Sequence, residues 1–381
     1  MLKKNYDAIV VGAGIVGLAM ARALGVRGKK VLVLDKSQFA VGASIRNFGM
    51  IWPIGQQEGM MYERAMLSRS IWMEVAATSG LWIDPVGSLH LAYSNTEMDA
   101  LSAFQSIVGS ERNYTLLNAA ATLKVSDSIV SAGLKGGLLS AEEAIVDAPR
   151  AIAALPAFLH EIYGVDFQWQ TPVNAVETGK VISGNNVFEA NEIFISSGPD
   201  FETLYPDLFA QTAITKCKLQ MMRFQSQPAG WRLGPSLCGG LSLIHYNGFK
   251  AAGDAVKQLK QEFENKYPEY IEWGIHVMVS QNQSGELIVG DSHEYGLTHD
   301  PFDRQMINKL ILKYLSGFAR FANEEIAASW NGIYPKMTNG ETEFITSPAD
   351  GITIVNGLGG SGMTLSFGLA EQLLSGTYQI K

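Results

Sequence analysis

Cysteine is almost missing from this sequence. Cys217 and Cys238 are the only thiols in 381 residues. They are too few and too far apart for a disulfide framework or a thiolate metal motif, and isolated thiols of this kind behave as small buried hydrophobes. Charge is sparse as well, at 17% of residues, with 29 Lys and Arg against 37 Asp and Glu for a formal net charge of −8. The basic residues are scattered, which argues against a nucleic-acid surface, because such surfaces concentrate Lys and Arg. Apart from the N-terminal run from Ala8 to Leu24, no segment approaches the ~18 uninterrupted apolar residues of a membrane helix. Internal repeats and low-complexity linkers are also lacking. What remains is a chain with 47% hydrophobic residues, long enough for two domains, or for one large fold of interleaved parts, with a sizeable core.

The N-terminal segment admits two readings. MLKK followed by the apolar run from Ala8 to Leu24, with ARA at 21–23, imitates a secretory signal and its cleavage site. The same residues satisfy a more demanding pattern, so the expectation is a cytoplasmic protein. DAIVV (7–11) is a short β-rich run, GAGIVG follows directly, an Ala- and Leu-rich helical stretch reaches about Gly25, and KKVLVLDK supplies a second strand. In this β-α-β unit Gly12, Gly14 and Gly17 are the glycines of a GxGxxG motif, and Asp35 is the acid ~20 residues on. The glycines permit a tight turn and close backbone approach to a pyrophosphate facing a helix N-terminus. Asp35 would accept hydrogen bonds from ribose hydroxyls.

A second glycine-rich loop stands near the other end. ITIVNGLGGSGMTLSFGLAEQLLSG (352–376) reads as strand, loop and helix. A nicotinamide dehydrogenase does not need this second loop; a flavin does, because its N1–C2=O edge gains negative charge on reduction and a helix N-terminus stabilises that charge by about 0.3–2 kcal/mol. Residues 357–364 are the candidates for this contact, the plainer alternative being helix–strand packing alone.

Between the two loops the pattern is less regular. GSLHLAY (87–93) reads as a strand, 97–124 as helix with a break, and 147–165 as a helix containing Pro156. FQWQTPVNAVE and EIFISSG (192–198) read as strands, and residues 217–290 as β-rich, including the hairpin IHVMVSQNQSGELIVG. MINKLILKYLSGFARF (306–321) is an amphipathic helix. Strand alternation puts His276, Met278 and Ser280 on one face, and its polar character suits a cavity wall. His245, Tyr246 and the GDSHE stretch of 290–294 are candidates on the same footing as His276; within that stretch Asp291 and His293 read more readily as a turn network than as a catalytic pair.

DAIVVGAGIVGLAMARAL, VLVLDK, GASIRNFG, FISSGP, the Trp330–Gly332 pair and GLGGSGMT together resemble the D-amino-acid oxidase, glycine oxidase and sarcosine oxidase family of FAD enzymes. GASIRNFGMIWPIGQ, GIHVMVSQNQSGELIVGDSHEYG and WNGIYP are similar to a branch associated with phosphonate catabolism. The resemblance implies an α/β fold in which a Rossmann-like FAD-binding domain (1–82, 143–200 and 325–381) interleaves with a β-rich α+β substrate domain (83–142 and 201–324). It implies that the loop after the second strand passes the pyrophosphate and then lies along the isoalloxazine ring. Ala43 and Ser44 would then meet phosphate or ribityl oxygens, and Asn47 and Phe48 the ring edge. Ile15, Val16, Lys36, Val173, Ser197, Gly198, Gly332, Gly359, Gly360, Ser361, Gly362, Met363 and Thr364 complete the implied cofactor contacts. Arg46 has two open roles, holding a structural carboxylate or flavin oxygen, or anchoring an anionic substrate.

One departure from the family pattern bears on substrate. Amino-acid oxidases that resemble this chain place a carboxylate-gripping arginine where Tyr334 stands. Lys336, Arg46 and His245 are the candidate replacements, with His276 a further substrate contact. The resemblance implies FAD-dependent oxidation of a primary or secondary amine carrying an acidic group, with an aminoalkylphosphonate as one candidate. Hydride passes to flavin N5 and the imine is hydrolysed to a carbonyl. The flavin carries the redox chemistry, so no side chain is assigned as catalytic acid or base. O₂ or another acceptor would reoxidise it. Neither cysteine lies in the 331–336 region where sarcosine oxidases attach flavin, so the FAD is expected to be noncovalent. No metal is expected, nor a nucleic-acid partner. A flavin-dependent 2-hydroxy-acid dehydrogenase on the same fold is the alternative.

Overall fold

The computed structural model describes residues 6–108 and 112–378; the basic MLKK stretch lies outside them. The N-terminal β-α-β unit forms from strands Tyr6–Val11 and Val31–Leu34 joined by the helix Ile15–Val26. Val31–Leu34 is buried throughout, as a central parallel strand covered on both faces must be. The strand Asn186–Ile195 pairs in parallel with Tyr6–Val11 on one side and with Ile352–Asn356 on the other. The two glycine-rich loops therefore leave the C-terminal ends of two parallel strands that flank Asn186–Ile195, at the same end of one sheet. That end is where open α/β sheets bind ligands. Val31–Leu34 and Asp166–Gln168 extend this sheet on the N-terminal side.

The helix Gly362–Ser375 is buried from Met363 to Ala370. It packs on Ile15–Val26 and on Met60–Ser79. Ser68 Oγ accepts the Gly368 amide at 2.7 Å, and Arg64, fully buried on that long helix, pairs with Glu343 at 2.9 Å. These contacts lock the C-terminal loop beside the N-terminal one.

A second sheet has nine strands. Its order runs Glu294–Gly296, Ile214–Phe224, Leu287–Gly290, Met278–Gln281, Ser236–Cys238, Ser88–Ala92, Gly136–Ser140, Tyr114–Asn118. The strand Ile326–Met337, grouped above with the cofactor-binding segments at 325–381, pairs instead along its length with Ile214–Phe224 of this second sheet. Its end returns to the first unit through a bridge from Lys336 to Leu358. Among the described residues, no helix is long and apolar enough to cross a membrane.

Other local expectations need correction. The break in 97–124 is a strand, Tyr114–Asn118, pairing with Gly136–Ser140. The stretch 167–177 is two strands, Asp166–Gln168 and Ala175–Glu177, in different parts of the first sheet; Pro172, which lacks an N–H for a ladder, lies between them. Within the region read as β-rich stands the helix Asp254–Lys266, which buries Val256, Leu259 and Phe263. The helix at 306–321 spans only Gln305–Leu315.

Candidate active site

Both glycine loops open into one cavity of about 940 Å³, at the upper end of the ~300–1,000 Å³ typical of small-molecule and cofactor sites. Gly12 turns with φ +102°, and a Cβ there would lie 2.3 Å from the Ser196 carbonyl oxygen, so the turn requires glycine. Gly14 is the N-cap of the first helix and Ser361 that of the last, neither with a capping side chain. At the first helix the Ile15 amide is taken by Ser44 from the neighbouring loop, so a ligand there would meet the other first-turn amides. Such a pair of amide-rich helix ends suits the anionic parts of a flavin dinucleotide.

Of the residues expected to hold the cofactor, Gly12, Gly14, Ile15, Val16, Asp35, Lys36, Ala43, Ser44, Arg46, Asn47, Phe48, Val173, Ser197, Gly198, Gly359, Gly360, Ser361, Gly362 and Met363 all line this cavity. Three others support its wall from behind. A Cβ on Gly17 would meet the Gly12 carbonyl at 1.9 Å, so this glycine lets helix and turn pack. A Cβ on Gly332 would meet the Arg46 Cβ at 3.3 Å. Thr364 is buried, and its Oγ1 accepts the Trp52 amide at 3.0 Å.

The loop quoted as GASIRNFG is braced by its own side chains. Asn47 Nδ2 donates to the Ala43 and Ser44 carbonyls at 2.9 and 3.0 Å, and its Oδ1 accepts the Gly49 amide at 2.8 Å. Its amide is thus spent on loop shape, which limits the ring-edge role expected of it. Ser44 Oγ accepts the Ile15 amide at 2.9 Å, tying this loop to the first helix. Ser280 Oγ donates to the Phe48 carbonyl at 2.8 Å, tying it to the second sheet. Asp35 accepts the Ala13 and Ser37 amides at 2.8 Å each; each carboxylate oxygen retains a lone pair for a ribose hydroxyl.

All the expected substrate contacts, Arg46, His245, His276, Tyr334 and Lys336, line the same cavity. Arg46 Nη1 donates to the Asn331 carbonyl at 3.1 Å, and Lys336 Nζ donates to the Tyr295 hydroxyl at 2.9 Å. Among the described residues neither cation is within ion-pair distance of a carboxylate. That leaves both charges available to an anion. Tyr334 is buried, with its ring beside Gly360 of the C-terminal loop. Burial also pushes the Cys217 thiol, on the paired strand, up to about 12, and neither cysteine lines the cavity.

Sequence reasoning missed how tightly the histidines group. His245 and His276 have ring centroids 3.8 Å apart, and His293 lies 4.5 Å from His245 and 5.1 Å from His276. Asp291 joins them, with Oδ1 3.1 Å from His276 Nδ1 and Oδ2 3.8 Å from His293 Nε2. Loss of hydration pushes the Asp291 carboxyl up and all three imidazoles down, His293 to about 4. Asp291 and His293 are therefore part of the cavity wall and not merely a turn network. The signal was available in the hairpin: counting back from its turn brings His276 within a residue of Asp291, and the two backbones exchange hydrogen bonds at 2.8 and 3.2 Å.

Comparison with known proteins places this geometry. The family model described as FAD dependent oxidoreductase (DAO) matches residues 7–375, and the chain belongs to that family. It is an FAD-dependent oxidoreductase. Glycine oxidase of Bacillus licheniformis is 23% identical over 351 residues, covering 89% of this chain and 84% of that protein. The crystal structure of glycine oxidase from Geobacillus kaustophilus superposes with a TM-score of 0.76 at 19% identity, covering 97% of this chain and 94% of the other. L-proline dehydrogenase from P. horikoshii gives 0.77 at 17% identity, covering 99% and 95%. At such identities the superpositions speak for the fold.

Proposed function

We propose that the chain oxidises a primary or secondary amine that carries an acidic group, an aminoalkylphosphonate being the candidate, and that it works in the cytoplasm. The observation that carries this reading is the pair of cations, Arg46 and Lys336. They face the cavity of the glycine loops without carboxylate partners among the described residues, and the family resemblance implies that Tyr334 stands where related oxidases carry a carboxylate-gripping arginine. A phosphonate, bulkier and more highly charged than a carboxylate, suits two separated cations better than one fork. The glycine oxidase relatives support an amine as the reacting group.

FAD, when bound, supplies the hydride acceptor. The residues of the chain bind and orient. Arg46 and Lys336 hold the acid group, and in a cavity walled by buried side chains their attraction for it exceeds its value in water. Holding that end fixes the amine-bearing carbon relative to the two glycine loops, which is where most of the rate advantage of a bound reaction arises. The amine leaves as an imine, which water hydrolyses to a carbonyl compound. No side chain is needed as a strong base.

The test is anaerobic loss of the flavin's blue absorbance on adding glycine, sarcosine, D-alanine, 2-aminoethylphosphonate or its N-methyl form, with 2-hydroxy acids alongside. Bleaching by an aminophosphonate at lower concentration than by glycine supports the reading. Bleaching by a 2-hydroxy acid and by none of the amines overturns it.

A further inference from the structure

We propose that His245, His276 and His293 form a binding site for one divalent transition-metal ion, of the zinc or cobalt class, in the wall of the cavity. Each offers a ring nitrogen, and these atoms lie within 4.8 Å of one another. Three imidazoles on an ion at ~2.1 Å stand about 3.4 Å apart in tetrahedral geometry, so small side-chain rotations close the set.

The surroundings have the pattern of a metal site's outer shell. His293 Nδ1 is 2.8 Å from the Gly274 carbonyl, which assigns the proton to Nδ1 and leaves Nε2 free to ligate. Asp291 stands behind, with Oδ1 at 3.1 Å from His276 Nδ1. A backbone carbonyl on the far nitrogen, as on His293, is how metal-ligating histidines are oriented, and a small turn of the His276 ring would give it the Asp291 carboxylate in the same way. His276 Nδ1 and Asp291 Oδ1 are both buried and, despite their proximity, make no aligned hydrogen bond. A network of neutral hydrogen-bonded histidines would satisfy those atoms; none of the three rings donates to another among the described residues. Imidazole donors with one nearby carboxylate favour zinc, cobalt, nickel or iron over magnesium or calcium.

All three histidines line the cavity, so an ion there keeps a position open to a molecule within it. A phosphonate or carboxylate oxygen of the substrate fits that position. This last step rests on the function proposed above and is read separately from the site itself.

The experiment uses the FAD-loaded full chain, stripped with chelator, exposed to Zn²⁺, desalted and analysed for metal against flavin. The expected result is about one Zn²⁺ per FAD. Zn²⁺ affinity by calorimetry should fall at least about 100-fold in His245→Ala and in His293→Gln. His160→Ala and His299→Ala, which alter histidines outside the cavity lining, should keep the wild-type value. Flavin content and melting temperature report whether each variant is folded. Substoichiometric zinc in the wild type, or equal affinity in folded His245→Ala and wild type, overturns the site. If zinc binds as expected, its removal should raise about tenfold or more the amine concentration that half-bleaches the flavin. An unchanged concentration overturns the substrate contact and leaves the metal site standing.

Discussion

Gly14→Ala isolates the contribution of the N-terminal loop to cofactor binding. Gly14 has φ −72° and ψ 176°, a conformation alanine adopts without strain. The added Cβ would lie 3.1 Å from Ser44 Oγ, tighter than ordinary contact, so the serine must retreat by a few tenths of an ångström. That loosens its hydrogen bond from the Ile15 amide, now 2.9 Å, at a cost to the folded apoprotein of about 0.5–1.5 kcal/mol. The effect on FAD is larger. The methyl stands at the mouth of the first helix, where the sequence motif would bring the pyrophosphate to the amides. Losing one charge-assisted hydrogen bond weakens binding by about 1.5–3 kcal/mol, which is about 10- to 150-fold in Kd. Fluorescence titration of deflavinated protein with FAD measures this, and a thermal melt of the apoprotein measures the smaller folding effect. A variant that melts like the wild type and binds FAD within about twofold of it would refute the assignment of the loop. Gly12→Ala is uninformative, since its φ of +102° and the Ser196 carbonyl at 2.3 Å predict failure to fold.

Other outcomes follow from the same geometry. Arg46→Ala and Lys336→Ala should each raise KM for the acidic amine about 10- to 100-fold with kcat little changed; steady-state kinetics showing unchanged KM in both would remove the proposed anion site. Glu143 is fully buried, accepting Ile54 N–H at 3.1 Å and Ser88 O–H at 2.9 Å, and burial raises its carboxyl from an ordinary 4.5 to about 7. The native state therefore keeps a proton that the unfolded chain releases. This group's stabilisation is present below about 4.5 and is lost as pH rises to about 7, by up to about 3 kcal/mol. Glu143→Gln, always neutral, should gain on the wild type by that margin between pH 4.5 and 8 in denaturant unfolding; parallel curves would contradict the assignment. Acid precipitation should leave the yellow colour in the supernatant, because both cysteines are buried away from the cavity; colour in the pellet would mean a covalent link.

The cofactor half of the molecule was legible because its signals are local. Strand, glycine turn, helix and the acid at Asp35 lie within one short stretch, and both glycine loops stand where the pattern puts them. The second sheet was less so. Ile326–Met337 is defined by a partner far away in the chain, Ile214–Phe224, and Tyr114–Asn118 by its pairing with Gly136–Ser140; such pairing overrides local preference. The helix Asp254–Lys266 is a different matter, since Val256, Leu259 and Phe263 repeat at helical spacing and the surrounding β-rich composition masked it. Gly17, Gly332 and Thr364 sit in the expected motifs but behind the cavity wall, a distinction of ångströms that no motif encodes. The histidine cluster draws on three separate segments, and only packing brings them together.

Hydrogen exchange of the backbone amides, with and without FAD, addresses the two-loop cradle most directly. If one cofactor is held from both ends of the chain, residues 12–17 and 357–364 should become protected together, at a single equivalent of FAD. Protection confined to residues 12–17, with 357–364 exchanging as in the apoprotein, would contradict it.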